Sequence, residues 1–371
     1  MLIGVPTEIK NNEFRVAITP VGVNELTNRG HEVMVQAGAG LGSSITDEEY
    51  QNAGATIIPT AEEVWTKAEM IIKVKEPIAS EYELMQEGQI LFTYLHLAAD
   101  KPLTDALIER KVTSIAYETV QLPDRSLPLL APMSEVAGRL SAQVAANLMM
   151  KNNGGGGVLF GGTTGTRPAN VVVLGGGTVG FESARIISGM GARVTVFDIN
   201  IPRMSYIEHV TNGRVQTQYS AELAVREALK DADAVIGSVL VPGARTPHLV
   251  TNDMVAEMKP GSALVDVAID QGGCFEDSHP TTHDDPTFQV HNSVFYCVAN
   301  MPGAVPNTAT YGLTNATMRY CIEIANNGWK AACQRRPELA KGLTTHDGKV
   351  YVAAVSDAFD LPHEDVDALL A

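Results

Sequence analysis

The feature that most constrains this chain is a run of four apolar residues, Val171-Val172-Val173-Leu174, leading directly into Gly175-Gly176-Gly177-Thr178-Val179-Gly180 and then a helical pattern. A strand, a G-x-G-x-x-G turn and a helix in that order call for a βαβ unit with a parallel sheet. Gly175 makes the tight turn, Gly177 lets a pyrophosphate approach the backbone, and Gly180 lets helix and strand pack closely. The helix N-terminus, with Thr178 and Val179 in its first turn, offers unpaired N–H groups and the positive end of a dipole to phosphates. The next strand ends Thr195-Val196-Phe197-Asp198, with Asp198 placed 18 residues after Gly180. A carboxylate there accepts from both ribose hydroxyls and repels a 2′-phosphate, so NAD is the expected cofactor. Arg203, close behind, works against that preference.

The remainder of the chain repeats the same strand–helix rhythm. In the first ~130 residues, strand-like runs at 2–5, 32–36, 70–74, 90–94 and 113–116 alternate with helical patterns at 20–28, 47–53, 61–67 and 102–109. A long helix-compatible stretch covers 133–150, with Ser134 a plausible N-cap, and a glycine-rich loop follows from Gly154 to Gly165. A second unit then runs through strands at 171–174, 194–197, 215–217, 234–239, 263–267 and 294–298. A second long helical stretch at 307–326 leads into a tail with helical patterns near 329–334 and 350–359. The expected architecture is α/β, with two Rossmann-like domains built on parallel sheets and joined by two long helices. Residues 1–128 and 307–371 form a discontinuous substrate domain completed by the C-terminal tail, residues 129–306 form the NAD domain, and a cleft is expected between them.

The 371 residues carry a net charge of −16, which argues against nucleic acid as a partner and against an anionic membrane surface. No apolar run reaches the ~18 residues of a membrane helix, and the N-terminus lacks a signal-peptide layout. The four cysteines, Cys274, Cys297, Cys321 and Cys333, show neither CxxC nor disulfide-like spacing, which reads as reduced thiols in the cytoplasm. No ligand pair has structural-zinc spacing, so no metal is expected. There is no G-x-S-x-G elbow and no Walker A loop.

A dehydrogenase also needs a cation and proton-transfer groups near strand ends. Arg15, in a turn-rich loop after the first strand, has the fork that clamps a carboxylate, although an ordinary surface arginine is the commoner explanation. Lys75 closes the run Met70–Lys75 and, two residues from Lys73, is expected on the same strand face. His96 ends an apolar strand, where either a buried structural histidine or a proton-transfer group fits. Asp270 follows a strand of the second unit, at the end where open α/β sheets bind ligands. The segment Tyr296–Pro302, with Asn300, ends another strand there.

Together these pieces resemble the alanine dehydrogenase family over the whole length of the chain. The resemblance is carried by Gly4-Val5-Pro6-Thr7-Glu8, Asn11-Asn12-Glu13-x-Arg15-Val16, Lys73-Val74-Lys75-Glu76-Pro77 and Tyr94-Leu95-His96-Leu97-Ala98. Ala131-Pro132-Met133-Ser134-Glu135-Val136-Ala137-Gly138, the glycine motif, Asp266-Val267-Ala268-Ile269-Asp270-Gln271-Gly272-Gly273 and Val298-Ala299-Asn300-Met301-Pro302 complete it. It implies NAD-dependent interconversion of L-alanine with pyruvate and ammonia, in a homo-oligomer, usually a hexamer. Arg15 and Lys75 are then expected to bind substrate, with His96 and Asp270 the acid/base pair. Ser134, the glycine turn, Asp198, Arg203, Ser220, Val239 and Leu240 are expected to line the NAD site. Val267, Asp270, Val298, Asn300 and Met301 are expected near the nicotinamide. The rival readings are an NAD-binding component of a proton-translocating transhydrogenase, which shares this fold, and a non-catalytic NAD sensor.

Overall fold

The computed structural model describes residues 1–239 and 247–371, so the expected cofactor residue Leu240 lies outside the described residues. The chain divides into two compact units, Met1–Met133 with Val305–Ala371, and Ser134–Ala304. In chain order, the first unit contributes β1 (Leu2–Val5), β2 (Glu32–Gln36), β3 (Thr56–Ile58), β4 (Met70–Ile72), β5 (Ile90–Thr93) and β6 (Thr113–Ala116). The second contributes β7 (Asn170–Leu174), β8 (Arg193–Asp198), β9 (Val215–Tyr219), β10 (Ala234–Gly237), β11 (Ala263–Asp266), β12 (Thr287–Val290) and β13 (Ser293–Tyr296). The chain then returns to the first unit for β14 (Leu343–His346) and β15 (Lys349–Val350).

The first sheet runs β15-β14-β6-β5-β4-β1-β2-β3 and the second β12-β13-β11-β10-β7-β8-β9. Strand order reverses between β4 and β1 in the first sheet and between β10 and β7 in the second. At such a reversal the connections leave on opposite sides and open a crevice at the carboxyl ends of the strands. The β-branched strands are buried on both faces, as parallel strands covered by helices must be. Val171 and Val173 enter one core of the second unit while Val172 and Leu174 enter the other. Ala234 and Ile236 part from Val235 in the same way.

Both sheets are mixed rather than purely parallel. β14 pairs antiparallel with β6, β15 with β14, and β12 with β13. These strands and β3 carry no long β-branched run, and the region of 350–359 expected to be helical opens on β15, with the helix at Ala353–Phe359. Ser134 is not an N-cap. Its helix spans Ala131–Leu148, with Pro132 in the first turn, where a missing N–H costs nothing. The second long helix, Pro306–Arg335, breaks at Gly328, whose φ of 73° is open only to glycine without strain. That break separates the two helical patterns of the sequence.

Candidate functional site

In the first unit, three loops leave the carboxyl ends of adjacent strands β1, β4 and β5, and a fourth leaves β6. The β1 loop carries Arg15, which is only 2% exposed. Its Nε and Nη2 donate to the two carboxylate oxygens of Glu13 at 2.6 and 2.5 Å, and Nη1 points at Met133 Sδ at 3.1 Å. Burial works against the charge of Arg15, but the Glu13 carboxylate outweighs it and raises the guanidinium above its ordinary pKa. A buried arginine held in a bidentate clasp is not a surface arginine; the clasp fixes the orientation of its guanidinium. The loop borders an open hollow of about 430 Å³ lined by Thr7, Glu8, Lys10, Asn11, Arg15 and Gly42, among others.

The β4 loop separates two lysines that the sequence placed on one strand face. The strand ends at Ile72, so strand alternation no longer governs them. Lys73 is fully buried and paired with Glu8 at 3.1 Å and Glu81 at 3.0 Å. Burial pulls its pKa down, but the two carboxylates prevail and raise it, while burial pushes Glu8 up. Glu8 also accepts from Val74 N at 2.6 Å. Lys75 is half-buried, and among the described residues its ammonium makes no hydrogen bond or ion pair. Its carbonyl accepts from Thr93 Oγ1 at 3.1 Å, which ties the loop to β5. Lys75 therefore has the free donors that a ligand requires, and Lys73 is a structural cation.

His96, after β5, is exposed rather than buried. Its backbone is left-handed, with φ 50° and ψ 36°. The ring lies parallel to that of Tyr94, with centroids 6.0 Å apart and planes 8° apart. Tyr94 is fixed in turn by donating its hydroxyl to Leu129 O at 2.5 Å. Glu118, after β6, accepts from the amides of Leu95 and His96. The roles of Glu13 and Glu118 were missed by sequence reasoning, because carboxylates that serve backbone amides or a neighbour two residues away leave no spacing signature.

In the second unit every expected cofactor residue that is described, outside the long helix, lies at or beyond the carboxyl end of a strand. Gly175 has φ 93°, and a Cβ on Gly180 would lie 1.8 Å from Gly175 O. A Cβ on Gly177 would meet nothing within 4 Å. The helix Thr178–Gly189 opens at Gly177 with no side-chain cap, so its first N–H groups face outward unclaimed. Gly177 and Thr178 are exposed and Val179 half-buried. These features fit a dinucleotide's pyrophosphate: an open approach over glycine, donors without partners and a positive dipole end.

Three further residues gather round that turn. Asp198 accepts from Gly176 N at 2.5 Å and Asn200 N at 2.8 Å. The cap of the following helix is Asn200, not Asp198. Arg203 donates from Nε to Gly176 O at 2.5 Å and sits over the rings of Phe181 and Tyr206, at 5.1 and 4.9 Å. Ser220 N donates to Asp198 O at 3.0 Å. Ser134 shares a helix face with Gly138 and Ser141, at i, i+4 and i+7. That face meets the glycine helix, because Ser183 Oγ donates to Gly138 O at 3.0 Å and Ser141 Oγ lies 2.6 Å from Ser183 Oγ.

Val239 and Val267 follow β10 and β11, and Val267 N donates to Gly237 O at 2.8 Å. Asp270 is exposed, with no carboxylate partner among the described residues. Its loop is organised by buried Asp266, which accepts from Ala268 N at 3.2 Å, Cys274 N at 2.7 Å, Phe275 N at 3.3 Å and Ser278 Oγ at 2.6 Å. Ser238 was also missed; its hydroxyl reaches Leu174 O at 2.7 Å and Gly175 O at 3.0 Å, pinning β10 to the turn. Val298 and Met301 are buried and Asn300 is half-buried with φ 63°, all just beyond β13. Among the described residues there is no cluster of metal-ligating side chains and no helix long and apolar enough to cross a membrane.

Comparison with known proteins matches this architecture end to end. Residues 4–137 match the family described as alanine dehydrogenase/PNT, N-terminal domain, and residues 141–353 its C-terminal domain. The chain is 62% identical to an alanine dehydrogenase of Mycolicibacterium smegmatis over 371 residues, covering all of both chains. It is 59% identical to an alanine dehydrogenase of Mycobacterium tuberculosis, again over the whole of both. A solved L-alanine dehydrogenase superposes with a TM-score of 0.94 at 50% identity, covering 97% of this chain and 99% of that one. A transhydrogenase from Sinorhizobium meliloti, 24% identical, shares the fold with a TM-score of 0.82, covering 95% of this chain and 100% of that one. This chain belongs to the alanine dehydrogenase/PNT family.

Proposed function

We propose that this protein is an NAD-dependent alanine dehydrogenase, an oxidoreductase that converts L-alanine to pyruvate and ammonia and runs the reverse reductive amination. Beyond the family membership, the reading is carried by one observation in the first unit. Adjacent strand ends deliver a buried Arg15 of fixed orientation, an unclaimed Lys75 ammonium and an exposed His96 ring. A cation pair and a proton-transfer group are what a small α-amino or α-keto acid needs.

NAD would be held by the glycine turn, Asp198, Arg203, Ser220 and Ser134, with Val239, Val267, Val298, Asn300 and Met301 completing the site. When bound it supplies a hydride acceptor. The preference for NAD over NADP is supported by the Asp198 carboxylate beside Gly176 N, which would repel a 2′-phosphate. Arg15 and Lys75 bind the substrate carboxylate and its carbonyl side. Arg15 enters already oriented by Glu13, so little freedom is lost on binding. His96 hydrogen-bonds the oxygen that develops at the substrate carbon and moves its proton as the carbinolamine collapses. Asp270 takes the proton from the water that adds to that carbon.

The enzyme is further proposed to act in the cytoplasm, in keeping with four free, buried cysteines, and as the homohexamer that the family resemblance implies. The test is NADH formation by the purified protein with NAD and a panel of amino acids at mildly alkaline pH. Rapid turnover of L-alanine, with little of D-alanine or glutamate, is the expected result. NAD binding without turnover of any amino acid would sink the reading in favour of a sensor.

A further inference from the structure

His96 is a non-glycine residue in the left-handed region, with φ 50° and ψ 36°. Such conformations persist where surroundings over-determine them, and they gather at functional sites. Beyond this residue Ala99 N donates to His96 O at 3.0 Å, and before it the chain is held by one side chain. Glu118 is half-buried at the end of β6, in the short turn Tyr117–Thr119. Its Oε1 accepts from His96 N at 2.6 Å, and both its oxygens lie 3.2 Å from Leu95 N. Two consecutive amides donating to one carboxylate fix the peptide planes on both sides of Leu95, and so anchor the chain at the nitrogen of the left-handed residue. Among the described residues Glu118 has no salt-bridge partner, and those two amides are its hydrogen-bond partners.

The ring of His96 is then the free end of a rigid arm. Its backbone is clasped by Glu118, and its plane lies 8° from that of Tyr94, which is itself bonded to Leu129 O. The exposed ring has no hydrogen-bond partner of its own among the described residues, so what fixes its position acts through the backbone and the Tyr94 face.

We propose that Glu118 is a positioning residue for the alanine dehydrogenase reaction, anchoring the peptide planes on either side of Leu95 so that the imidazole of His96 is presented at a fixed place. The proposal rests on the assignment of His96 as the proton-transfer group, and its test separates the two ideas. The closest contacts converge on Oε1, so the carbonyl oxygen of glutamine placed there keeps the clasp without the charge. Alanine removes it, and aspartate is too short to reach it.

The experiment compares Glu118→Gln, Glu118→Ala and Glu118→Asp in the full chain, each alone and the alanine variant also in a His96→Ala background. NADH binding, read by fluorescence, reports that the second unit is intact. The expected result is a fall in kcat of about 100-fold for Glu118→Ala and Glu118→Asp, the scale of a misplaced reacting group. Glu118→Gln should stay within about 5-fold of the parent and keep its pH–rate profile, since the imidazole stays in place. In the His96→Ala background, Glu118→Ala should change the residual rate by no more than about twofold, because a residue that acts only through another has nothing left to act on. Fully additive losses, or a Glu118→Gln enzyme as impaired as Glu118→Ala, would overturn the positioning role and give the carboxylate a direct part in the chemistry. Near-normal turnover in His96→Ala alone would instead remove the assignment of His96, and this proposal with it.

Discussion

Two glycines three residues apart in the same turn should respond to the same substitution in opposite ways. In Gly180→Ala the new methyl carbon would lie 1.8 Å from Gly175 O, 2.7 Å from Ser238 Oγ and 3.0 Å from Gly175 C. The backbone oxygen cannot rotate away as a side chain could, so helix and strand must separate. Overpacking of this kind costs about 3 kcal/mol or more, which lowers the unfolding midpoint by roughly 6–12 °C in a domain of this size. In Gly177→Ala the methyl carbon meets nothing within 4 Å, and the backbone at φ −62°, ψ −163° is open to alanine. The loss of unfolded-chain freedom contributes up to about 1 kcal/mol of stability. Alanine's poorer fit to the helix-capping position offsets that by a similar amount, so stability should move by less than about 1 kcal/mol. The methyl group occupies the approach that the pyrophosphate needs, and NADH affinity should fall at least tenfold. Thermal unfolding without ligand and NADH fluorescence titration read the two effects separately. Equal destabilisation by both substitutions, or undiminished NADH binding by Gly177→Ala, would refute the division of labour argued for this turn.

Other perturbations test other parts of the structure. His96→Ala and Asp270→Asn should each lower turnover by at least ~100-fold, the scale of lost acid/base catalysis, with NADH binding retained; near-normal rates in either would remove it from the mechanism. Lys73→Met leaves Glu8 and Glu81 buried without their cation and should cost about 3–5 kcal/mol in urea unfolding; an unchanged midpoint would mean that the triad is better solvated than its burial indicates. Burial pushes the Asp233 carboxyl up, but bonds from Arg167 and Asn170 N prevail and hold it below its usual 3.8. A depressed carboxylate contributes stability above its unfolded pKa and loses it as pH falls through the folded one. Asp233→Asn should therefore be less stable than the parent at neutral pH, with the gap closing below about pH 4; a gap that persists in acid would contradict this.

Much of the architecture is written locally. Val171–Leu174, Val33–Val35 and Ala263–Val265 are unbroken apolar runs, and burial on both faces makes such runs continuous. The glycine motif was legible because each of its positions answers a separate steric demand. What was not legible depends on distant partners. Leu343–His346 reads as Leu-Thr-Thr-His, with no strand signal of its own; it becomes a strand because Ser114 Oγ meets Thr344 Oγ1 and Thr345 Oγ1, both at 2.6 Å. Lys73 and Lys75 are alike in sequence, and only Glu8 and Glu81, brought from elsewhere in the unit, separate a structural cation from an available one. The exposure of His96 could not be read from an apolar strand end, because it follows from a left-handed backbone turn just beyond β5. Asp266 likewise appeared only as part of a motif, and its service to four donors is a property of the folded loop.

The pairing of β14 with β6 also bears on how the protein is made. Ser114 and its partner Thr344 are 230 residues apart, and the whole of Ser134–Ala304 is synthesised between them. At roughly 5–20 residues per second, the open edge of β6 waits on the order of ten to fifty seconds for its neighbour to leave the ribosome. An unpaired strand edge is a template for the wrong partner. The nascent chain meets that interval with Thr113 and Ser114 on the waiting strand, hydroxyl-bearing residues that water can satisfy until the hydroxyls of Thr344 and Thr345 arrive. The second unit, Ser134–Ala304, has all of its residues in hand first, so it can mature while the first is still incomplete.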